Sequence, residues 1–336
     1  MEDVPAESSS PPARPRWIVR GLSFCGAGLL ILLVAGFALR DRWLWTQWLM
    51  FVPLGIAGVV AVMWDLLFRG RSFRPRFALA LLGLLTVGLH LYAMVGWRTP
   101  ATPTSGARTL RVVEWNTLWG VKPDVWPTIA AALRRENADI VILAESANHW
   151  QIEHDLLNAE MPHYVIWASS ADARYTAYSY REVVASRWPV TIEEKRAIPT
   201  GVAMLTRIDA PQGVVRVLVV DGESNVFTLR RPRAQGVSDL LAEYARRGTP
   251  VDVVAGDFNT QARSIGFDDL RSAGYQLAEE FSGTWTGTFK WPTAPLWDID
   301  HVIVSPAWNV TACRFITHPW CDHRGQVVEV AKSPAR

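Results

Sequence analysis

The sequence predicts an α/β domain preceded by a membrane-embedded region. Three observations lead there. The first hundred residues hold three long apolar runs. From Leu110 onward, short β-branched runs alternate with stretches of helical spacing. Several of those runs also stop at an Asn, Asp or Glu, the strand-end position where α/β sheets gather their ligands.

The elements follow in chain order. Residues 1–16 are rich in Ser, Pro and Ala, a composition that predicts disorder. Gly21–Leu39 and Trp43–Trp64 carry no charge and Phe77–Trp97 carries only His90, each close to the roughly 20 residues that cross a bilayer. Arg14, Arg16 and Arg20 precede the first run, and Arg69, Arg71, Arg74 and Arg76 fill the second connection. The positive-inside rule puts both in the cytoplasm. Three spans would then place everything after Trp97 on the outer side of the cell membrane, in a multi-pass protein. Residues 17–98 are thus expected as a membrane domain, 99–109 (TPATPTSGART) as a tether and 110–332 as an extracytoplasmic domain. Seventeen Trp suit a protein at a membrane interface. A net charge of +2 gives no global pull toward nucleic acid. Cys313 and Cys321 are eight apart, and no CxxC pair marks a zinc site.

In the outer domain, Leu110–Trp115 reads as a strand with Asn116 at its end, and Asp139–Leu143 as a buried strand leading to Glu145. Asn and Glu oxygens are hard donors that suit Mg²⁺, or Mn²⁺ in its place. Val184–Pro189 ends a strand with Ser186 and Arg187, and Val214–Val220 ends at Asp221. Arg230, Arg231 and Arg233 open a helix, where they either hold a phosphate or form a solvated helix start. Val251–Thr260 (VDVVAGDFNT) is the most informative stretch: a buried strand, a Gly that lets a ligand approach the backbone, then Asp257 and Asn259 aimed at one site. A carboxylate and an amide held there suit a phosphate centre. Asp300 precedes another strand, and Asp322 stands next to His323, where it can orient the ring and raise its pKa.

The ordered set EWNT, LAES, AGDFNT, DIDHVIVS and CDH resembles the endonuclease/exonuclease/phosphatase superfamily of metal-dependent phosphoesterases over about residues 108–330. The resemblance implies a four-layer α/β/β/α sandwich of two mostly antiparallel sheets. It further implies Mg²⁺ on Glu145 with Asn116 beside it, Asp257 activating water, and Asn259 holding a phosphate oxygen. Asp300 would support the site, and His323, oriented by Asp322, would contact the scissile phosphate. Two positions depart from the family pattern. Asp221 stands where a His is usual and is read as an additional metal or water ligand. Cys321 replaces a Ser, which leaves open a disulfide with Cys313.

The three-span layout resembles the membrane-anchored bacterial group associated with glycopeptide resistance, which implies a lipid-linked phosphate substrate such as a polyprenyl diphosphate. Trp285, Trp291 and Trp297, with Lys290, lie in one loop that either dips into headgroups or packs on the domain. The alternatives are an extracellular nuclease, disfavoured by the near-neutral charge, and a non-catalytic module that binds phosphorylated ligands.

Overall fold

The computed structural model describes residues 16–68, 77–103, 106, 109–117, 125–145, 161–168, 181–211 and 213–333. The expectation of disorder over residues 1–16 lies outside these apart from Arg16, as do the arginines of the second connection and part of the tether. The chain divides into two compact units. One holds the helices up to Ala38 and Val52–Tyr92; the other joins Leu39–Phe51 to Ala93–Arg336.

The first unit contains α1 (Arg16–Leu39), continues after the short α2 (Leu44–Phe51) with α3 (Leu54–Leu67), and ends with α4 (Ala78–Met94). Small residues let α3 and α4 approach closely: a methyl on Gly58 would strike the Gly83 carbonyl, and one on Gly83 the Gly58 carbonyl. The buried Asp65 accepts the Ala80 N–H at 3.0 Å, a packing role for that carboxylate.

The expectation of three spans is not upheld. Trp17–Leu39, with mean hydropathy 2.4, is the one described helix that is by itself long and apolar enough to cross a bilayer, a property shared by anchors and signal sequences. The run Trp43–Trp64 is not one helix. Pro53 has no N–H to donate and disfavours helical geometry at Val52, so the run breaks into α2 and α3, which belong to different compact units. The third run forms a shorter helix of 17 residues.

The second unit is built on two six-stranded mixed sheets. Its elements are β1 (Thr109–Asn116), α5 (Trp126–Arg135), β2 (Ile140–Ala144), β3 (His163–Ala168), β4 (Arg181–Ser186), β5 (Val190–Ile198), β6 (Gly201–Ala210) and β7 (Gly213–Gly222). There follow α6 (Arg231–Arg246), β8 (Val253–Asp257), α7 (Asp268–Ser272), β9 (Gln276–Leu277), β10 (Phe289–Lys290), β11 (Pro295–Trp297), β12 (Asp300–Val304), β13 (Trp308–Ile316) and β14 (Gly325–Lys332). One sheet has the order β13-β14-β1-β2-β4-β3 and the other β5-β6-β7-β8-β12-β9. Each has one parallel pair at its centre, β1 with β2 and β7 with β8, and is otherwise antiparallel.

Alternation along the strands makes three apolar layers. Val112, Ile142 and Val184 meet Val217, Ala255 and Val302 between the sheets. Val113 and Leu143 face outward onto Trp126, Ile129 and Leu133 of α5. Leu218, Val254 and Ile303 face outward onto Val237, Leu241 and Tyr244 of α6. The order is therefore helix, sheet, sheet, helix. Cys313 and Cys321 are both free and buried, in different layers, so they do not form the disulfide left open above.

The stretch expected to be a Trp-rich loop contains the hairpin β10–β11, with Phe289 opposite Trp297. Trp297 donates to the Phe51 carbonyl and Trp285 to the Pro295 carbonyl, whereas Trp291 is 63% exposed.

Candidate active site

Strand direction decides which polar residues meet. β1, β2, β7 and β8 all end at one edge, and β12, antiparallel to β8, begins there. The ladder sets Asp221 opposite Asp257 and Asp257 opposite Asp300. His323 arrives just before β14. Ser186 and Arg187 do not join them: β4 runs antiparallel to β2, and Ser186 lies opposite Ile140, at the far edge.

Asp257 is 1% exposed and is held by three donors. These are the Asn116 amide at 3.0 Å, the Asn259 backbone N–H at 2.7 Å and the Asn259 amide at 3.0 Å. The Asn259 amide also donates to the Gly222 carbonyl at 2.8 Å. With both N–H bonds engaged, Asn259 fixes Asp257 instead of being free to hold a phosphate oxygen through its amide, as expected from the sequence. Gly256 has φ of 138°, and a Cβ there would strike the Val220 carbonyl, so glycine is required where the strand turns into the site. Glu145 and Asn259 hold left-handed backbone, φ 47° and 46°, a conformation that clusters at functional sites.

His323 Nδ1 lies 2.7 Å from Asp300 Oδ2, and both residues are buried. The orienting carboxylate is therefore Asp300, not the neighbouring Asp322. Asp322 lines the cavity, and its Oδ1 has no partner among the described residues. Burial by itself would lower the pKa of His323, but the charge and hydrogen bond of Asp300, then Asp257 and Asp322, outweigh it and raise the imidazole to about 10. Asp257 is pushed up to about 7, first by burial and then by Asp300, against the opposing pull of His323. The site thus pairs a cationic imidazole with a carboxylate that titrates near neutrality.

Asp221 does not line the cavity. It lies 2% exposed beside Glu182, and burial followed by Glu182 pushes its pKa well above the carboxylate range. Glu182 rises to about 8, also from burial first, and Glu114 is raised well above its usual value by burial and then Asp300. The reading of Asp221 as a residue facing the ligand therefore has no support in the geometry; it belongs to a set of acids between the sheets. Glu114 and Glu182 lie within strands where apolar residues are expected, and no sequence signal had marked them.

Three buried basic side chains brace the turn after Asp257. Arg233 donates to the Phe258 carbonyl, Arg230 to the Asn259 carbonyl, and His301 Nε2 contacts the Thr260 carbonyl at 2.6 Å. Arg233, fully buried, also donates to Thr200 O, Thr200 Oγ1 and Glu223 O at 2.7–2.9 Å. Burial lowers Arg230 and Arg233 to about 10. His301 is paired with Glu279 at 2.6 Å; burial would lower it, but Glu279 wins and raises it to about 9. The arginines are therefore neither a solvated helix start nor, for Arg233, a phosphate contact. His301 adjoins Asp300 in a strand, and the alternation of side chains that directs Asp300 to the site directs His301 away from it.

The donor set suits a divalent cation. Asp257, Asp300 and His323 each offer one ligand atom, all within 4.8 Å of one another, and Asp300 Oδ1 has no hydrogen-bond partner among the described residues. Glu145 lines the same cavity. With His323 cationic, the donors left for a cation are carboxylate oxygens, which fit Mg²⁺ or Mn²⁺ better than a structural zinc.

The cavity above these residues is about 550 Å³. Glu145, Arg230, Asp257, Asn259, Asp322 and His323 make its polar floor. Trp48, Phe51, Val226, Phe289, Trp297 and Ile299 make an apolar wall.

The fold is an α/β sandwich with Asn116, Glu145, Asp257 and His323 gathered at one edge of its sheets. The endonuclease/exonuclease/phosphatase family model matches residues 113–322, and the chain belongs to that family. A family member from Beutenbergia cavernae DSM 12333 is 22% identical with a TM-score of 0.50, over 68% of this chain and 72% of that one. Another, from Bacteroides thetaiotaomicron, is 16% identical with a TM-score of 0.52, over 68% of this chain and all of that one. A third, from Bacteroides vulgatus, is 16% identical with a TM-score of 0.50, over 67% of this chain and all of that one. No curated protein sequence matches the chain.

Proposed function

We propose that the protein is a divalent-metal-dependent phosphoric ester hydrolase that acts at a membrane on a lipid-linked phosphomonoester, diphosphate or phosphodiester. The observation that carries this reading is the cluster of Asp257, Asp300 and His323, of which Asp257 and His323 line one cavity with Glu145.

Asp257, oriented by Asn116 and Asn259, accepts the proton of the attacking water. His323, kept cationic by Asp300, donates to a phosphate oxygen as negative charge builds there. Asp300, Asp257 and Glu145 are the residues that would hold Mg²⁺ or Mn²⁺, and Asn116 sits beside them. When bound, the cation supplies charge neutralisation at the phosphate. α1 is read as the membrane anchor, and Arg14, Arg16 and Arg20 before its uncharged run Gly21–Leu39 favour a cytoplasmic N-terminus with the site on the outer face. The apolar cavity wall supports a substrate with hydrocarbon next to its phosphate.

The test is Mg²⁺-dependent hydrolysis by the full-length protein of a polyprenyl diphosphate, a phosphomonoester, a generic phosphodiester and DNA. Turnover that disappears in both Asp257→Asn and Glu145→Gln supports the reading. Unchanged rates in those variants, or no turnover of any substrate by the folded protein, refute it; DNA as the best substrate favours a nuclease.

A further inference from the structure

The run Trp43–Trp64 reads in sequence as one membrane span, yet its first half belongs to the same compact unit as the two sheets. Leu39–Phe51 is fastened there by its own polar residues. Arg40 donates to both oxygens of Asp268 at 2.7 and 2.8 Å and to the Ser264 carbonyl at 2.7 Å. Asp41, 1% exposed, accepts from Ser264 Oγ and, at 2.8 Å, from the Ile265 N–H. Gln47, also 1% exposed, accepts the Arg230 N–H at 2.8 Å and donates to the Thr228 carbonyl at 3.0 Å. Trp48 Nε1 donates to the Val226 carbonyl at 2.8 Å, and Phe51 lies under the Arg230 guanidinium, 4.6 Å from ring centroid to Cζ. A lipid-facing segment would have no use for three polar residues, Arg40, Asp41 and Gln47, spent on partners in the sheet unit.

The same segment puts Trp48 and Phe51 on the wall of the catalytic cavity, continuous with the floor that holds Asp257 and His323. We infer that Leu39–Phe51 is a built-in part of the active site, in which Trp48 and Phe51 set specificity by holding the hydrocarbon that adjoins the substrate phosphate. The occupant is the proximal part of a membrane lipid's chain. Two things on the molecule point to it: the wall is apolar within reach of a phosphate-handling floor, and the segment is covalently continuous with α1, the helix apolar enough to cross a bilayer. Arg230, held by Gln47 and stacked on Phe51, links wall to floor, since its guanidinium also donates to the Asn259 carbonyl. This inference rests on the phosphoesterase reading and assigns the residues that hold the hydrocarbon which that reading calls for.

The experiment uses the full chain in nanodiscs with Mg²⁺ and two probes that share a diphosphate but differ in chain length, farnesyl diphosphate and isopentenyl diphosphate. The wild type is expected to favour the farnesyl probe in kcat/KM by more than tenfold. In Phe51→Ala and in Trp48→Ala that ratio is expected to fall about tenfold, mostly through KM for the farnesyl probe, while Phe51→Leu keeps most of it. A wild-type ratio near one, or a ratio unchanged in both alanine variants, overturns the inference. If the wild type turns over neither probe, tryptophan-fluorescence titration of Asp257→Asn and of the double variant with Phe51→Ala decides the matter. Preferential farnesyl binding that is lost with Phe51 upholds the wall and refutes the hydrolase reading on this substrate class. Equal binding of both probes, or none, overturns the wall.

Discussion

The two sides of the cavity are built by different means. The polar floor comes from strand ends, and ladder hydrogen bonds set its geometry: Asp257 stands opposite Asp300, which in turn holds His323. The apolar wall comes from Leu39–Phe51 and the hairpin β10–β11, and is held by side-chain bonds to loops. The floor has little freedom because moving one residue means slipping a strand. The wall can be altered one side chain at a time. Chemistry is thus placed by the sheets, and selectivity by a segment docked onto them.

The largest expected effect breaks the floor. Asp257→Asn keeps the shape and removes the proton acceptor, and is expected to lower kcat by about 10³-fold, within the usual range for a general base, with KM little changed in steady-state assays. Asp300→Asn tests the floor's electrostatics. Activity in the wild type is expected to rise as Asp257 loses its proton, at about pH 7 or lower with the cation bound, and to fall as His323 loses its own near pH 10. Removing the Asp300 charge takes away the main influence raising His323, so the alkaline limb should move to lower pH; a limb that stays in place means His323 is not the group it reports.

Next comes the brace behind the floor. His301→Gln leaves Glu279 buried without its cation and is expected to cost about 3 kcal/mol in denaturant unfolding. The sign of its pH dependence follows from the raised pKa. Stability from His301 is fully present below about 6.5, its unfolded value, and is lost as pH rises through about 9. The gap between wild type and variant should therefore narrow between those limits; a constant gap means that packing and not charge is lost.

The smallest effect is expected at the fastening of the wall. Asp41→Ala leaves the Ser264 hydroxyl and the Ile265 N–H without their acceptor, a loss of about 1–3 kcal/mol. Amide exchange in Leu44–Phe51 should quicken in this variant and not in Asp257→Asn. Equal protection in the two would mean that other contacts hold the segment.

Much of the floor was legible because its signals are local. A β-branched run that stops at Asn116, Glu145 or Asp257 places that residue at a strand end whatever the rest of the chain does, and the GDFN turn carries its own glycine. The strands β5, β13 and β14 were harder to see. β5 alternates exposed positions with half-buried ones, carries charge on both, as an edge strand does, and has no long apolar run.

By itself the sequence determined the alternation that makes two faces on every strand, the apolar character of α1, and the order in which carboxylates, amides and His323 reach the site. These follow from periodicity and residue chemistry within a few neighbours. Only the tertiary structure decided which carboxylate holds His323, because Asp300 is 23 residues away and meets it through sheet pairing. It also sent Asp221 into the space between the sheets and set Arg233 behind the catalytic turn. Most of all it divided Trp43–Trp64 between two units. Hydropathy sums the apolar content of a run and is blind to a partner surface; Pro53 stops the helix, and Arg40, Asp41 and Gln47 find their hydrogen bonds on residues more than 180 positions away.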